Sequence, residues 1–266
     1  MSPVLIAVLI LGAIGLVCAL VLVLASKFMA VPVDEKFPAI RACLPGANCG
    51  ACGYAGCDGY ANALAAGEEE KTNKCIAGGQ EVAKAVAETM GLAFEAVVEV
   101  NAFIHCRGDC LNTAKRTEFQ GARSCAAAKL LFGSDGACHY GCIGYGDCAS
   151  VCPENAINII NGIAHINDIR CMGCGACART CPQGIIEVLP KEFEVEVSCS
   201  NHDKGPAVKK ACAAGCIGCT LCAKKCPEGA ITMVNNHPVV DNGKCTGCGT
   251  CVDSCPAKCI LRGNKV

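Results

Sequence analysis

Three stretches of the chain repeat one spacing: Cys171-x2-Cys174-x2-Cys177-x3-Cys181-Pro182, Cys216-x2-Cys219-x2-Cys222-x3-Cys226-Pro227 and Cys245-x2-Cys248-x2-Cys251-x3-Cys255-Pro256. A fourth block is a variant, Cys138-x3-Cys142-x5-Cys148-x3-Cys152-Pro153. The chemistry this pattern can do is thiolate ligation of iron. Two-residue gaps turn three sulfurs toward one face of a [4Fe–4S] cubane, the fourth Cys reaches over to a neighbouring cluster, and the Pro ends the loop. Structural zinc also uses CxxC pairs, but it does not ask for three evenly spaced thiolates followed by Cys-Pro.

The elements between the runs must position them. Residues 153–170, PENAINIINGIAHINDIR, and 227–244, PEGAITMVNNHPVVDNGK, both read as helix start, short strand, Asn-rich turn, short strand. That is the hairpin of a two-cluster ferredoxin, so the blocks fall into two pairs. Exchanging the fourth ligands within the second pair assigns Cys216, Cys219, Cys222 and Cys255 to one cluster and Cys245, Cys248, Cys251 and Cys226 to the other. In the first pair Cys171, Cys174, Cys177 and Cys152 take one cluster.

The remaining cluster of the first pair lacks a ligand. Setting residues 138–157 over 212–231 places Tyr145 opposite Cys219. Cys138 is the nearest replacement, giving Cys138, Cys142, Cys148 and Cys181 as the expected set. The repeat extends upstream, where VNAFIHC ending at Cys106 parallels VEVSC ending at Cys199. A further cubane is therefore expected on Cys106, Cys125, Cys199 and Cys212, with Cys110 able to stand in for Cys106 or Cys125.

A different pattern, Cys49-x2-Cys52-x4-Cys57-x17-Cys75, lies in LPGANCGACGYAGCDGYANALAAGEEEKTNKC. Its glycines let backbone amides approach a cluster and donate to its sulfurs. YANALAAGE reads as a helix after the third ligand. Zinc competes more closely here, because this spacing is less diagnostic. Cys43 reads as a buried thiol. The stretch EVAKAVAETMG, residues 81–91, reads as an amphipathic helix with a core-facing apolar side.

Composition sets the frame for these sites. Cysteine accounts for 28 of 266 residues, with no Trp, four Tyr and seven Phe, so large side chains contribute little to any core. The 23 basic residues nearly balance 24 acidic ones, which gives no support to nucleic-acid binding. Mean hydropathy is +0.39. Its source is the uncharged run from Pro3 to Ala25, roughly 35 Å long as a helix and enough to span a bilayer core. A signal peptide would want a positive start and a shorter run. The first cations are Lys27, Lys36 and Arg41, so the positive-inside rule puts the bulk of the chain on the cytoplasmic side of a single-pass anchor. That compartment keeps thiols reduced, favouring metal ligation over disulfides. Cys18 lies within the span.

The anchor, NCGACGYAGCDGYANALAAG, HCRGDC, CHYGCIGYGDCASVCP, SCSNHDKG and the two paired runs together resemble the family of B components of Rnf complexes. These complexes are membrane-bound ion-translocating ferredoxin:NAD⁺ oxidoreductases, and the similarity is greatest to the longer, anaerobe form. The resemblance implies about six [4Fe–4S] clusters and an electron-transfer role. Electrons would come from soluble ferredoxin and pass to other membrane and peripheral subunits of the complex in the cytoplasmic membrane. The resemblance implies that those partners hold the flavins and the NAD site; no GxGxxG after a strand and no Walker loop occurs in this sequence. Cys43, Cys110 and Cys259 depart from the family's plain pattern and take no ligand role.

The expected architecture is α+β: a transmembrane helix at 1–26, a small helical Fe–S domain at 32–92 and a connecting segment with extra cysteines at 93–135. A ferredoxin-like two-cluster domain at 136–190, a connecting strand and loop at 191–211 and a second such domain at 212–266 complete it. No catalytic residue is expected, because electron relay needs no acid, base or nucleophile; His105, His139, His165, His202 and His237 are scattered. The alternative is an electron-transfer subunit of another membrane redox enzyme, of formate dehydrogenase or hydrogenase type. A zinc-binding structural module is the reading from another class. Lys209, Lys210, Lys224 and Lys225 form a local basic excess beside a cluster run and are the candidate docking site for an acidic ferredoxin.

Overall fold

Short strands and one-turn helices carry the cysteine runs in the computed structural model, which describes residues 3–28 and 36–263. The strands are β1 (Val100–Ile104), β2 (Ile157–Ile160), β3 (Ile163–Ile166), β4 (Ile186–Pro190), β5 (Val195–Val197), β6 (Ile231–Val234), β7 (His237–Val240) and β8 (Ile260–Arg262). They form four antiparallel pairs: β1 with β4, β2 with β3, β5 with β8 and β6 with β7. Each ferredoxin unit is thus an outer pair closing over an inner hairpin, repeated twice.

The two hairpins turn on two residues each. Asn161 and Gly162 have φ of 51° and 81°, and Asn235 and Asn236 have 47° and 65°. Two successive positive φ values define the turn whose twist matches flanking strands, and Asn and Gly are the residues that tolerate them. Gly144 is required for a different reason: a Cβ there would collide with the carbonyl oxygen of Gly162, so the ligand loop lies directly on this turn.

The outer strands correct the expected boundaries. The segment 93–135 does more than connect, because its β1 pairs with β4 from Val100↔Pro190 to Ile104↔Ile186. Likewise β5, expected in the linker 191–211, pairs with β8. An isolated five-residue strand has no partner of its own, and the edge left by β4 or β8 supplies one.

Helices complete the positioning: α1 (Pro3–Phe28), α2 (Lys36–Cys43), α3 (Gly56–Ala65), α4 (Gly79–Met90), α5 (Cys125–Phe132), α6 (Asp147–Ser150), α7 (Ala176–Thr180), α8 (Gly205–Ala211), α9 (Leu221–Lys225) and α10 (Thr250–Ser254). Helices α2, α3 and α4 pack around Ile40, Tyr60, Leu64 and Val86, each no more than 1% exposed. The amphipathic stretch at 81–91 lies in α4, buries Ala83, Val86 and Ala87, and stops at Gly91 in the left-handed conformation. Among the described residues no helix is long and apolar enough to cross a membrane. The expected anchor at 1–26 lies partly outside those residues, and side chains of α1 are described only from Leu11 to Ala25. Of these, Leu11 to Leu24 are exposed, Cys18 included.

The second ferredoxin core contains Val195, Val197, Ile231 and Ile260 together with Cys199, Cys216, Cys222, Cys251 and Cys259. More than half of its buried members are cysteines. Aliphatic packing alone is thin, so stability must come in large part from whatever the thiols bind.

Candidate iron–sulfur centres

Cys49, Cys52, Cys57 and Cys75 line one cavity together with Leu44, Gly50, Gly56 and Tyr60. Cys57 stands in the first turn of α3, where its N–H donates to Asn48 Oδ1 at 2.9 Å. The loop that returns to Cys75 is held by Tyr60, whose hydroxyl donates to the Lys71 carbonyl at 2.7 Å.

Cys152, Cys171, Cys174 and Cys177 gather inside the first ferredoxin unit. Backbone N–H groups already point at two of their sulfurs, from Ala102 to Cys171 at 3.5 Å and from Ala156 to Cys152 at 3.3 Å. The repeat places Ala230 N–H 3.3 Å from Cys226 Sγ in the same way. Cys226, Cys245 and Cys251 pack on the second core, and Cys248 stands beside Cys251 and is exposed. Cys216, Cys219, Cys222 and Cys255 line a further cavity, which Cys259 joins.

At the remaining two groups the structure exchanges two of the cysteines. Cys125, Cys142, Cys148 and Cys181 share one cavity, which excludes Cys138. Cys106, Cys138, Cys199 and Cys212 share another, with Cys142 in the wall between the two. The expected sets had Cys138 and Cys125 the other way round.

Asp147 accounts for the first position. Its carboxylate accepts the N–H groups of Cys125 at 2.9 Å and Ala126 at 3.0 Å and the Ser124 hydroxyl at 2.9 Å, clamping the start of α5 beside Cys148. Burial would raise this carboxyl, but those donors outweigh it and hold the group below the usual carboxylate range. Tyr145, which occupies the missing ligand position, donates to the buried carboxylate of Asp135 at 2.8 Å. The second position rests on Asn201, whose side-chain amide donates to Cys138 Sγ at 3.4 Å while its backbone N–H donates to Cys199 Sγ at 3.4 Å. Cys106 Sγ accepts from Gly108 N–H at 3.4 Å and Cys142 N–H at 3.3 Å. A Cβ at Gly108 would stand 3.2 Å from Cys212 Sγ, so glycine lets the chain pass between two of these sulfurs. The Asp in GDCASVCP was the one sequence signal for Cys125; nothing local signalled Asn201.

The cysteines without a group are elsewhere. Cys43 is half-buried, donating to the Ala39 carbonyl and facing Thr89 Oγ1 at 3.5 Å. Cys110 is exposed. Lys209 and Lys210 end α8, Lys224 and Lys225 end α9, and all four are exposed.

The donor chemistry fits [4Fe–4S] groups: four thiols per group, with N–H donors aimed at the sulfurs. Among the described residues no three His, Cys, Asp or Glu side chains converge as a single metal ion would require. Burial pushes Cys142 up to about 12 and Cys75, Cys148, Cys177, Cys199 and Cys222 up to about 11. Iron-free, these groups are neutral thiols at pH 7, and each must lose its proton to bind iron. Raising pH toward these values lowers that cost. Reconstitution of iron-free chain is therefore expected to proceed further at pH 8.5 than at pH 6.5, read as iron and labile sulfide bound per chain.

Repeated two-cluster ferredoxin units joined by further four-thiol groups define the chain as a polyferredoxin, an electron carrier. Family models agree: an Fe-S cluster model matches residues 44–77, and 4Fe-4S dicluster domains match 141–185, 170–230 and 215–260. The chain is 40% identical, over 98% of its length and 78% of the relative's, to the B component of the Na⁺-translocating ferredoxin:NAD⁺ oxidoreductase complex of Acetobacterium woodii. It is 42% identical over 92% of its length, and 87% of the relative's, to the B component of the proton-translocating complex of Clostridium ljungdahlii. The corresponding B component of the ion-translocating oxidoreductase complex of Methanosarcina acetivorans is 36% identical over 92% of this chain and 93% of its own. The chain belongs to the family of B components of Rnf complexes, the ion-translocating ferredoxin:NAD⁺ oxidoreductases.

Proposed function

We propose that this chain is the membrane-anchored electron-entry subunit of an ion-translocating ferredoxin:NAD⁺ oxidoreductase, taking electrons from reduced ferredoxin and relaying them to the other subunits. A [4Fe–4S] cluster gains or loses one electron with little rearrangement, at a potential tuned by hydrogen bonds and exposure. Six such groups use 24 of the 28 cysteines and leave Cys18, Cys43, Cys110 and Cys259. The ligand sets proposed are those the cavities gather, with Cys125 beside Cys142, Cys148 and Cys181, and Cys138 beside Cys106, Cys199 and Cys212.

The observation that carries this reading is the order in which the six groups adjoin. Arg179 donates to the Cys174 carbonyl at 3.3 Å and the Cys49 carbonyl at 3.0 Å, tying the N-terminal group to the first ferredoxin unit. Cys177 then neighbours Cys148. Cys142 N–H donates to Cys106 Sγ, and Cys216 N–H donates to Cys199 Sγ at 3.2 Å. Cys222 and Cys251 share one core with Cys216, bringing in the last group. These links join the six groups in one series from Cys49 to Cys251.

The anchor in this reading is the uncharged run within residues 1–26, argued from its length and composition, with Lys27, Lys36 and Arg41 favouring the cytoplasmic side for the rest of the chain. The relatives' names favour this complex over a formate dehydrogenase or hydrogenase. Anaerobically purified full-length chain is expected to be brown, with about four irons and matching sulfide per cluster, and to bleach when reduced ferredoxin is added. Stoichiometric zinc with little sulfide would end this reading. Deleting residues 1–28 is expected to release a soluble chain of unchanged iron content; loss of iron would make the helix part of the redox domain.

A further inference from the structure

Cys259 is a fifth thiol at a four-ligand site. It is 1% exposed, lines the cavity of Cys216, Cys219, Cys222 and Cys255, and its Sγ lies 3.7 Å from Cys255 Sγ. Its backbone is pinned, because Ser198 N–H donates to the Cys259 carbonyl at 2.7 Å.

The internal repeat isolates what the thiol adds. After each Cys-Pro the chain makes the same turn, with positive φ at Asn155 (48°), Gly184 (64°), Gly229 (59°) and Lys258 (49°). The next residue is buried every time: Ala156, Ile185 and Ala230 are 0%, 2% and 1% exposed, as Cys259 is 1%. Ile185 lines the cavity of Cys125, Cys142, Cys148 and Cys181 just as Cys259 lines its own. The side chains of the three equivalents are hydrocarbon, and among the four only the Cys259 side chain carries a polar hydrogen.

We propose that the Cys259 S–H donates a hydrogen bond to Cys255 Sγ and raises the reduction potential of the cluster held by Cys216, Cys219, Cys222 and Cys255. This rests on the reading of that site as a [4Fe–4S] centre. A ligating Cys255 is a thiolate and can only accept, so the proton between the two sulfurs belongs to Cys259. Reduction adds negative charge to the cluster and its ligand sulfurs, and a donor stabilises that charge more in the reduced state than in the oxidised. Cys259 is thus a positioning residue for charge rather than a ligand. It makes this site a better electron acceptor than its counterpart beside Ile185.

The test is an EPR-monitored redox titration of the anaerobic full-length chain, as wild type, Cys259→Ala and Cys259→Ser, with iron and sulfide counted in each. Alanine already occupies the equivalent positions 156 and 230, so it is tolerated by this turn. The expected result is a more negative midpoint potential for one cluster in Cys259→Ala, the others unmoved and iron unchanged. Cys259→Ser, which restores a donor, should recover part or all of the shift. Unchanged potentials in Cys259→Ala, or an equal shift in both variants, would overturn the proposal. Loss of about four irons from either variant would also overturn it, by making Cys259 a ligand. Absence of iron and sulfide from the wild type would instead overturn the [4Fe–4S] reading itself.

Discussion

Cys138→Ser protein is expected to lose the same cluster as Cys106→Ser, Cys199→Ser and Cys212→Ser, whereas Cys125→Ser loses the one that Cys148→Ser loses. Each variant should be short by about four irons, and EPR of the reduced chains should show which signal has gone. Serine keeps the size of the side chain but is a poor ligand for iron, so the change reads ligation more than packing. The geometry behind this is specific: Asn201 donates to both Cys138 and Cys199, and Asp147 ties Cys125 to the start of α6, beside Cys148. The effect on electron flow should be larger than one missing cluster suggests. Cys106 and Cys138 belong to the first ferredoxin unit and Cys199 and Cys212 to the second, so this group is the junction between the two units. Without it both halves stay brown, but electrons entering one should no longer reach the other on the timescale of turnover. A Cys138→Ser protein that matched Cys148→Ser in its lost signal would restore the arrangement drawn from the sequence repeat alone.

Reversing four charges, Lys209, Lys210, Lys224 and Lys225 to Glu, is expected to slow electron entry from an acidic ferredoxin on the order of tenfold or more at low ionic strength. All four lysines are exposed at the ends of α8 and α9, and Cys219 beside them is exposed too, so its cluster comes to the surface under the patch. Opposite charges raise the encounter rate and salt screens them, so wild-type entry should fall as salt rises. The variant should be slow at low salt and nearly flat with added salt, with full iron content. Stopped-flow reduction by ferredoxin over a salt series measures both slope and rate. Unchanged entry at low salt would place docking elsewhere, most simply on the N-terminal Cys49–Cys75 domain.

Cofactor chemistry, the two hairpins and most of the proposed ligand sets are legible in the order of residues. The reason is locality: three thiols within seven residues, a Cys-Pro stop and an Asn-Gly or Asn-Asn turn act over one or two turns of chain. What depends on distant partners emerges only on folding. β1 and β5 look like linkers in the sequence because a short strand shows its membership only through β4 and β8, some 90 and 65 residues further on. Cys125 and Cys138 lie within 13 residues of each other, so spacing could not sort them. Their places are set by hydrogen bonds from Asp147 and Asn201, and the second reaches across 63 positions of sequence. The order of the six groups is likewise a property of packing: Arg179 bridges two domains that the sequence presents only as separate cysteine patterns.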